Sequence, residues 1–378
     1  NQFLYQIKKE NNRNNANMII LGTSGSGKST AAKLMLRSHI RNNYQIIAID
    51  PEGELEDMVH MYGGDFIELG KGGNFGMINP LEVLLDADED EIKAGGGHSV
   101  LTRTIQTVKA FMKYYDPSMP EDVLNVFSQV LQETYRRFGI DFGVDFSKFT
   151  SNDYPTFKDV YATVRGKITA MPERTREKDI LEQLEIKLRP LVGELRYYFD
   201  AKTTISSESD FIVFNIKELL NADTNIRNAL FFNILKYAWN LTLNPNINTI
   251  LMVDEAHTLL TGSNTYGADF LAQVQRRARK YNTGTIIISQ QPTDFSDPQV
   301  ITQGKAIFDN ASYYLVMGLR KQAVEDLSKL IDLNEQERNS IKGYRQGDAL
   351  FVCGDKRMQI RIVVTPEELD SFGSGGGL

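Results

Sequence analysis

The sequence predicts an α/β fold with a mainly parallel central sheet, interrupted by an all-helical insertion, and three observations carry that prediction. An apolar run leads into a glycine-rich loop and then a helix between Met18 and Arg37. Short apolar runs alternate with helical stretches toward both ends of the chain, the pattern of parallel strands joined by crossover helices. From His98 to about Glu208, apolar residues recur at helical spacing and strand-like runs disappear. The boundaries drawn on this basis are 1–95 and 209–372 for the two parts of the α/β domain and 96–208 for the insertion. Residues 373–378 read as a flexible tail or an appended linker, and the chain, which lacks an initiator methionine, as a segment of a longer protein.

The first strand, Met18 to Leu21, feeds Gly22-Thr23-Ser24-Gly25-Ser26-Gly27-Lys28-Ser29-Thr30, which fits G-x-x-x-x-G-K-[ST], and a helix begins at Ser29. Strand, loop and helix in that order make a phosphate-binding loop. Phosphate oxygens must approach backbone N–H groups closely, so a Cβ at Gly22, Gly25 or Gly27 is expected to obstruct the turn. Lys28 then offers a cation to the terminal phosphates, the Ser29 hydroxyl ligates Mg²⁺, and the helix N-terminus adds a favourable field. The ligand is a nucleotide, with Thr23, Ser24, Gly25, Ser26, Gly27, Lys28, Ser29 and Thr30 around its phosphates.

At 378 residues the chain is long enough for a large core and more than one folded unit. An apolar share of 41% beside 24% charged residues describes a soluble globular chain. Its single cysteine, Cys353, excludes an internal disulfide and a cysteine zinc cluster and agrees with a reducing compartment. His39, His60, His98 and His257 are scattered without metal-ligand spacing and read as structural or solvated. No apolar run approaches the roughly 20 residues of a membrane span, and the first residues do not form a signal peptide. The net charge of −7 gives no global basic footprint for nucleic acid, although a local basic stripe remains open.

Along the chain, the asparagine patch Asn11 to Asn15 reads as a hairpin tip or loop, Gln45 to Asp50 and Asp65 to Leu69 as strands, and the acidic run Asp86 to Glu91 as a solvated loop. In the insertion, Val123, Phe127, Val130, Leu131, Thr134 and Phe138 make one face of a helix opened by Pro120, with Ser118 and Glu121 as a capping box. Thr156 and Asp159 suggest a second helix start, and a third helical pattern, Leu181, Leu184, Leu188, Leu191 and Leu195, is expected to kink or break at Pro190. Strands return at Phe211 to Ile216, Thr249 to Val253, Thr285 to Ser289, Tyr313 to Met317, Ala349 to Cys353 and Gln359 to Val364.

Ile250 to Glu255 is an apolar strand ending in two acids, a Walker B arrangement. Asp254 would hold the Mg²⁺ shell, and Glu255, pointing the other way, would polarise an attacking water. The alternative is two acids in a solvent-facing loop. Asp254 to His257 also spells the DEAH signature of a helicase superfamily, but that superfamily's other motifs are missing, so His257 reads as a local hydrogen-bonding residue. Gln290, after the next strand, suits a γ-phosphate sensor or simply a turn before Pro292. Arg276, Arg277, Arg279 and Lys280 form either a solvated basic face or the source of an arginine finger, for this subunit or a neighbouring one, with Arg320 a second candidate.

Five motifs occur in order: Gly22 to Thr30, Ile49-Asp50-Pro51-Glu52-Gly53-Glu54, Val253 to His257, Arg276 to Lys280 and Ser289 to Pro292. Together they resemble the C-terminal ATPase domain of the largest ATPase of bacterial type IV secretion and conjugation systems, a family related to the HerA and FtsK ring motors. The resemblance covers nearly the whole chain. It implies a RecA-like domain interrupted by an all-helical domain, ATP and Mg²⁺ as ligands, and nucleotide contacts at Asp50 and Glu52. It assigns Lys28 and Ser29 to phosphate and Mg²⁺, Asp254 to the Mg²⁺ shell, Glu255 to the water and Gln290 to the γ-phosphate. Hexamers or smaller assemblies, companion ATPases, inner-membrane channel proteins and a place at the cytoplasmic face of the inner membrane also follow from it. Two other readings stay open: a HerA- or FtsK-type DNA translocase, and a slowly hydrolysing, nucleotide-gated docking module.

Overall fold

Apolar runs that carry no alternating polar face can form strands only inside a sheet covered on both sides, and that is where they lie. The computed structural model describes residues 15–69, 76–84, 97–205, 209–218, 222–259, 266–290 and 292–372. The asparagine patch before Asn15, the acidic run at 86–91 and the tail at 373–378 lie outside them.

Nine strands among these residues form one sheet. They are Met18–Leu21 (β1), Gln45–Asp50 (β2), Asp65–Glu68 (β3), Phe211–Asn215 (β4), Thr249–Val253 (β5), Thr283–Ser289 (β6), Tyr313–Val316 (β7), Asp348–Cys353 (β8) and Lys356–Arg361 (β9). The order is β3-β4-β2-β5-β6-β1-β7-β8-β9. β1 pairs in parallel with β6 and β7, β2 with β4 and β5, and β5 with β6, while β7, β8 and β9 run antiparallel. Every residue of β1, β4, β5 and β6 is buried. On one face Ile20, Ala48, Val213, Met252 and Ile288 share a core with Ala31, Ala32 and Leu36 of the helix Lys28–Arg41.

β9 begins three residues earlier than the apolar run Gln359 to Val364 suggests. The two-residue turn Gly354-Asp355 places Lys356 directly opposite Cys353, so pairing starts at once and Val363 is left 73% exposed.

By contact the chain divides into two units, Asn1–Ile67 with Ser207–Lys217 and Leu241–Leu378, and Glu68–Ser206 with Glu218–Asn240. The first holds the sheet. Its last helix, Pro366–Phe372, is tied to the loop helix, because the buried Lys33 ammonium donates to the Phe372 carbonyl at 2.9 Å and Arg37 pairs with Glu368.

The second unit is built mainly from the helices Gly97–Tyr115, Glu121–Arg137, Phe157–Ala170 and Arg176–Val192. Phe111 stacks on Phe157 and meets Phe199 edge-on, with ring centroids 5.7 and 5.3 Å apart. This unit starts at residue 68, whereas the sequence pattern places its start at 96. Polar contacts explain the grouping of 76–84: the Tyr135 hydroxyl donates to the Leu81 carbonyl at 2.6 Å, and the Asn233 amide to that of Ile78 at 3.0 Å. These partners are far apart in sequence, so the pattern of residues 76–84 does not announce them.

Thr156 and Asp159 form the expected capping box. Ser118 does not: its N–H and hydroxyl both donate to Asp116, and Pro120 itself occupies the N-cap. Pro190 sits in the last turn of Arg176–Val192, and the helix ends two residues later.

Candidate active site

Parallel strands bring their carboxyl ends to one edge of the sheet, where open α/β sheets gather ligands. Four strands adjacent in space, β2, β5, β6 and β1, deliver Asp50, Asp254 with Glu255, Gln290 and the glycine-rich loop to that edge. A cleft of about 200 Å³ opens there. It is smaller than the roughly 300–1,000 Å³ of a whole small-molecule site and suits a chain of phosphates. From the loop it is lined by Ser24, Gly25, Gly27, Lys28, Ser29 and Thr30. Facing them are Glu52 and Glu54 after β2, Asp254 and Glu255 after β5, and Gln290 after β6.

The loop is pinned from the side of β7 and β8. Thr23 donates to the Gly318 carbonyl through its N–H (3.0 Å) and its hydroxyl (3.1 Å), and the Gly347 N–H donates to the Ser26 carbonyl at 3.0 Å. Thr23 and the buried Ser26 thus hold the loop in shape, while the loop residues Ser24, Gly25, Gly27, Lys28, Ser29 and Thr30 line the cleft. The glycines act for different reasons. A Cβ on Gly22 would stand 2.5 Å from Ser26 Oγ, whereas one on Gly25 would meet nothing within 4 Å, and its φ of +75° is what demands glycine. Gly27, at φ +101°, starts the helix.

Lys28 is buried and donates to the Thr23 carbonyl at 3.1 Å. Burial pushes its ammonium below the usual lysine range, against the pull of Glu255, Asp254, Glu54 and Glu52.

Asp50 does not reach the cleft. Its carboxylate accepts from the N–H groups of Gly53 (2.9 Å) and Leu55 (2.8 Å), and its own carbonyl accepts from Asn215. Burial raises its pKa and those N–H groups oppose the rise. Asp50 therefore shapes the turn, and that turn aims Glu52 and Glu54 at the loop. The sequence signal for Glu54 is its two-residue spacing from Glu52 in the same motif. One of its carboxylate oxygens is shielded and has no hydrogen-bond partner.

Asp254 and Glu255 differ although adjacent. Burial and the neighbouring Glu255 carboxylate push Asp254 up to about 8. Burial also opposes the charge of Glu255, but His257, Gln290 and Lys28 outweigh it and hold this carboxyl below its usual range. The Gln290 amide donates to Glu255 Oε1, and His257 Nδ1 stands 2.9 Å from Oε2.

The arginines lie elsewhere. Arg276 and Arg277 end the helix Tyr266–Ala278, and Arg279 lies in the short turn Arg279–Tyr281 before β6. They sit at the amino end of a seven-residue strand whose carboxyl end carries Gln290, about 20 Å away at 3.3 Å per residue. Arg276 and Arg279 are exposed, and Arg277 donates to the Tyr281 hydroxyl at 3.3 Å. Arg320, also exposed, follows β7 on the cleft's own edge of the sheet.

Residues 3–350 match the TraG P-loop domain family. The chain belongs to that family. It is similar to the structure of VirB4 of Thermoanaerobacter pseudethanolicus, with 32% identity, 96% of this chain and 93% of that chain covered, and a TM-score of 0.87. Curated relatives include an uncharacterised protein of Bacillus anthracis, 22% identical over 94% of this chain, and Protein TraC of Escherichia coli K12, 21% identical over 84%. The chain spans 61% and 34% of the lengths of these two relatives. This TraG-family chain is thus a VirB4-like P-loop protein of the conjugation and type IV secretion class, with a RecA-like fold interrupted by an all-helical insertion.

Proposed function

We propose that this chain is a Mg²⁺-dependent ATPase motor domain that drives substrate transfer and pilus assembly in a bacterial type IV secretion or conjugation machine. The observation that carries the reading is the convergence of Lys28, Ser29, Asp254, Glu255 and Gln290 on one cleft at the carboxyl edge of four strands. Lys28 and the loop N–H groups bind the terminal phosphates, Glu255 polarises the attacking water and Gln290 meets the γ-phosphate. Ser29 and Asp254 are hard oxygen donors and fit Mg²⁺, which takes few protein ligands beside phosphate and water. When bound, that ion neutralises phosphate charge.

The exposed arginines, at the far edge of the sheet from their own cleft, suit a finger that completes a neighbouring subunit's site. Specific activity should then rise with protein concentration until a ring, a hexamer by family resemblance, is complete. Companion ATPases and inner-membrane channel proteins are the proposed partners, at the cytoplasmic face of the membrane. Among the described residues no helix is long and apolar enough to cross a membrane.

The exposed cluster Arg276, Arg279 and Lys280 favours one second reading, a DNA translocase of the HerA or FtsK type. ATP turnover with and without single- and double-stranded DNA, at low and moderate salt, separates the two. A large, salt-sensitive stimulation supports the translocase; indifference to DNA supports the secretion motor. Negligible turnover under every condition supports a docking module.

A further inference from the structure

His257 has no part in the proposed chemistry, yet it stands against the carboxylate that does. β5 ends at Val253 and the chain turns at once. Glu255 has φ +48°, and the turn Ala256–Leu259 follows. A non-glycine residue in the left-handed region costs about 1–2 kcal/mol, and such strain persists where surrounding contacts over-determine it. Here each carboxylate oxygen has its own neighbour, one through a hydrogen bond and the other through an ion-pair approach. Gln290, from the neighbouring strand, donates to Oε1, and His257 Nδ1 lies 2.9 Å from Oε2. The turn itself carries the imidazole back beside a residue only two positions earlier. The Glu255 side chain is 11% exposed and that of His257 27%, so the contact is shielded from the solvent that weakens surface pairs.

We propose that His257 is a positioning residue that acts through Glu255. By engaging Oε2 it fixes the rotation of the carboxylate, so that the γ-phosphate-facing amide of Gln290 and the attacking water meet one defined oxygen, Oε1. This gives the histidine of the Asp254-Glu255-Ala256-His257 sequence a task inside the site, one that needs no helicase motif. The inference rests on the proposed role of Glu255 in polarising water.

The test compares the full chain with Glu255→Gln, His257→Ala and His257→Asn in steady-state ATP turnover, affinity for a non-hydrolysable ATP analogue, and thermal melting. His257→Ala should lower kcat about tenfold, part of the roughly 10²–10⁴-fold that a positioned general base contributes, with KM and analogue affinity unchanged. Asn places an amide donor near the position of Nδ1, so His257→Asn should recover most of the lost kcat. A His257→Ala variant as fast as the parent overturns the proposal. So does a loss spread over kcat, affinity and melting temperature that Asn does not rescue, because that is the mark of a merely structural residue. A parent without turnover, or a Glu255→Gln variant as fast as the parent, overturns the role of Glu255 and the inference with it. Slow Glu255→Gln beside fast His257→Ala overturns the inference alone.

Discussion

The side-chain amide of Gln290 donates to the carboxylate of Glu255 across the ends of β6 and β5, which lie side by side in the sheet although 35 positions separate the two residues. The Gln290 Nε2 carries two protons, so with one on Glu255 it keeps a second to offer a ligand in the cleft. Gln290→Ala should keep affinity for an ATP analogue within about threefold while turnover falls about tenfold or more, the scale of one lost transition-state donor or somewhat less. Paired measurements of binding and turnover check this, and parallel loss of both would make Gln290 a binding residue only.

Lys28 sits inside the loop it serves, with its ammonium on the Thr23 carbonyl. Lys28→Ala should weaken ATP affinity by about 10–100-fold, matching the roughly 1.5–3 kcal/mol of a hydrogen bond to a charged group. Calorimetric titration with ATP and Mg²⁺ reads this directly. Unchanged affinity would remove the loop from the nucleotide site.

Asp50 should behave in the opposite way. Asp50→Ala leaves the Gly53 and Leu55 N–H groups without their acceptor, at about 1–3 kcal/mol for each buried donor. Urea unfolding should therefore show about 3 kcal/mol of lost stability, with any loss of ATP affinity following from the disordered turn. A variant as stable as the parent that fails to bind ATP would restore Asp50 to the site itself.

His39, on the buried side of the loop helix, reports on pH. Burial holds its pKa at about 4, below the 6.5 of an unperturbed histidine. The unfolded chain then binds a proton that the folded one refuses. The contribution is fully present above pH 6.5 and is lost as pH falls toward 4. At about 1.4 kcal/mol per unit, the loss amounts to about 3 kcal/mol. His39→Gln should flatten the stability profile between these limits. If it leaves the slope unchanged, the acid sensitivity belongs to other groups.

What could be read without the structure was local. The phosphate loop occupies nine consecutive residues, and its backbone geometry follows from its own glycines. The Thr156 and Asp159 capping box closes over one helical turn, and burial on both faces of the sheet is written into unbroken apolar runs. The two acids after β5 and the glutamine after β6 were legible for the same reason, since each follows its strand directly.

The tertiary structure decided which of these meet. Strand order, not sequence order, sets Gln290 and Glu255 side by side, and it places Arg276 and Arg279 at the opposite edge from their own cleft. Asp50 and Thr23 matched a motif, but whether a carboxylate or hydroxyl faces a ligand depends on backbone groups close enough to claim it first. Those of Gly53, Leu55 and Gly318 do so. The pairing of His257 with Glu255 hangs on one left-handed residue, a φ that no composition or periodicity encodes. Spacing along the chain prescribes contacts within a turn or two; beyond that range, packing chooses the partners.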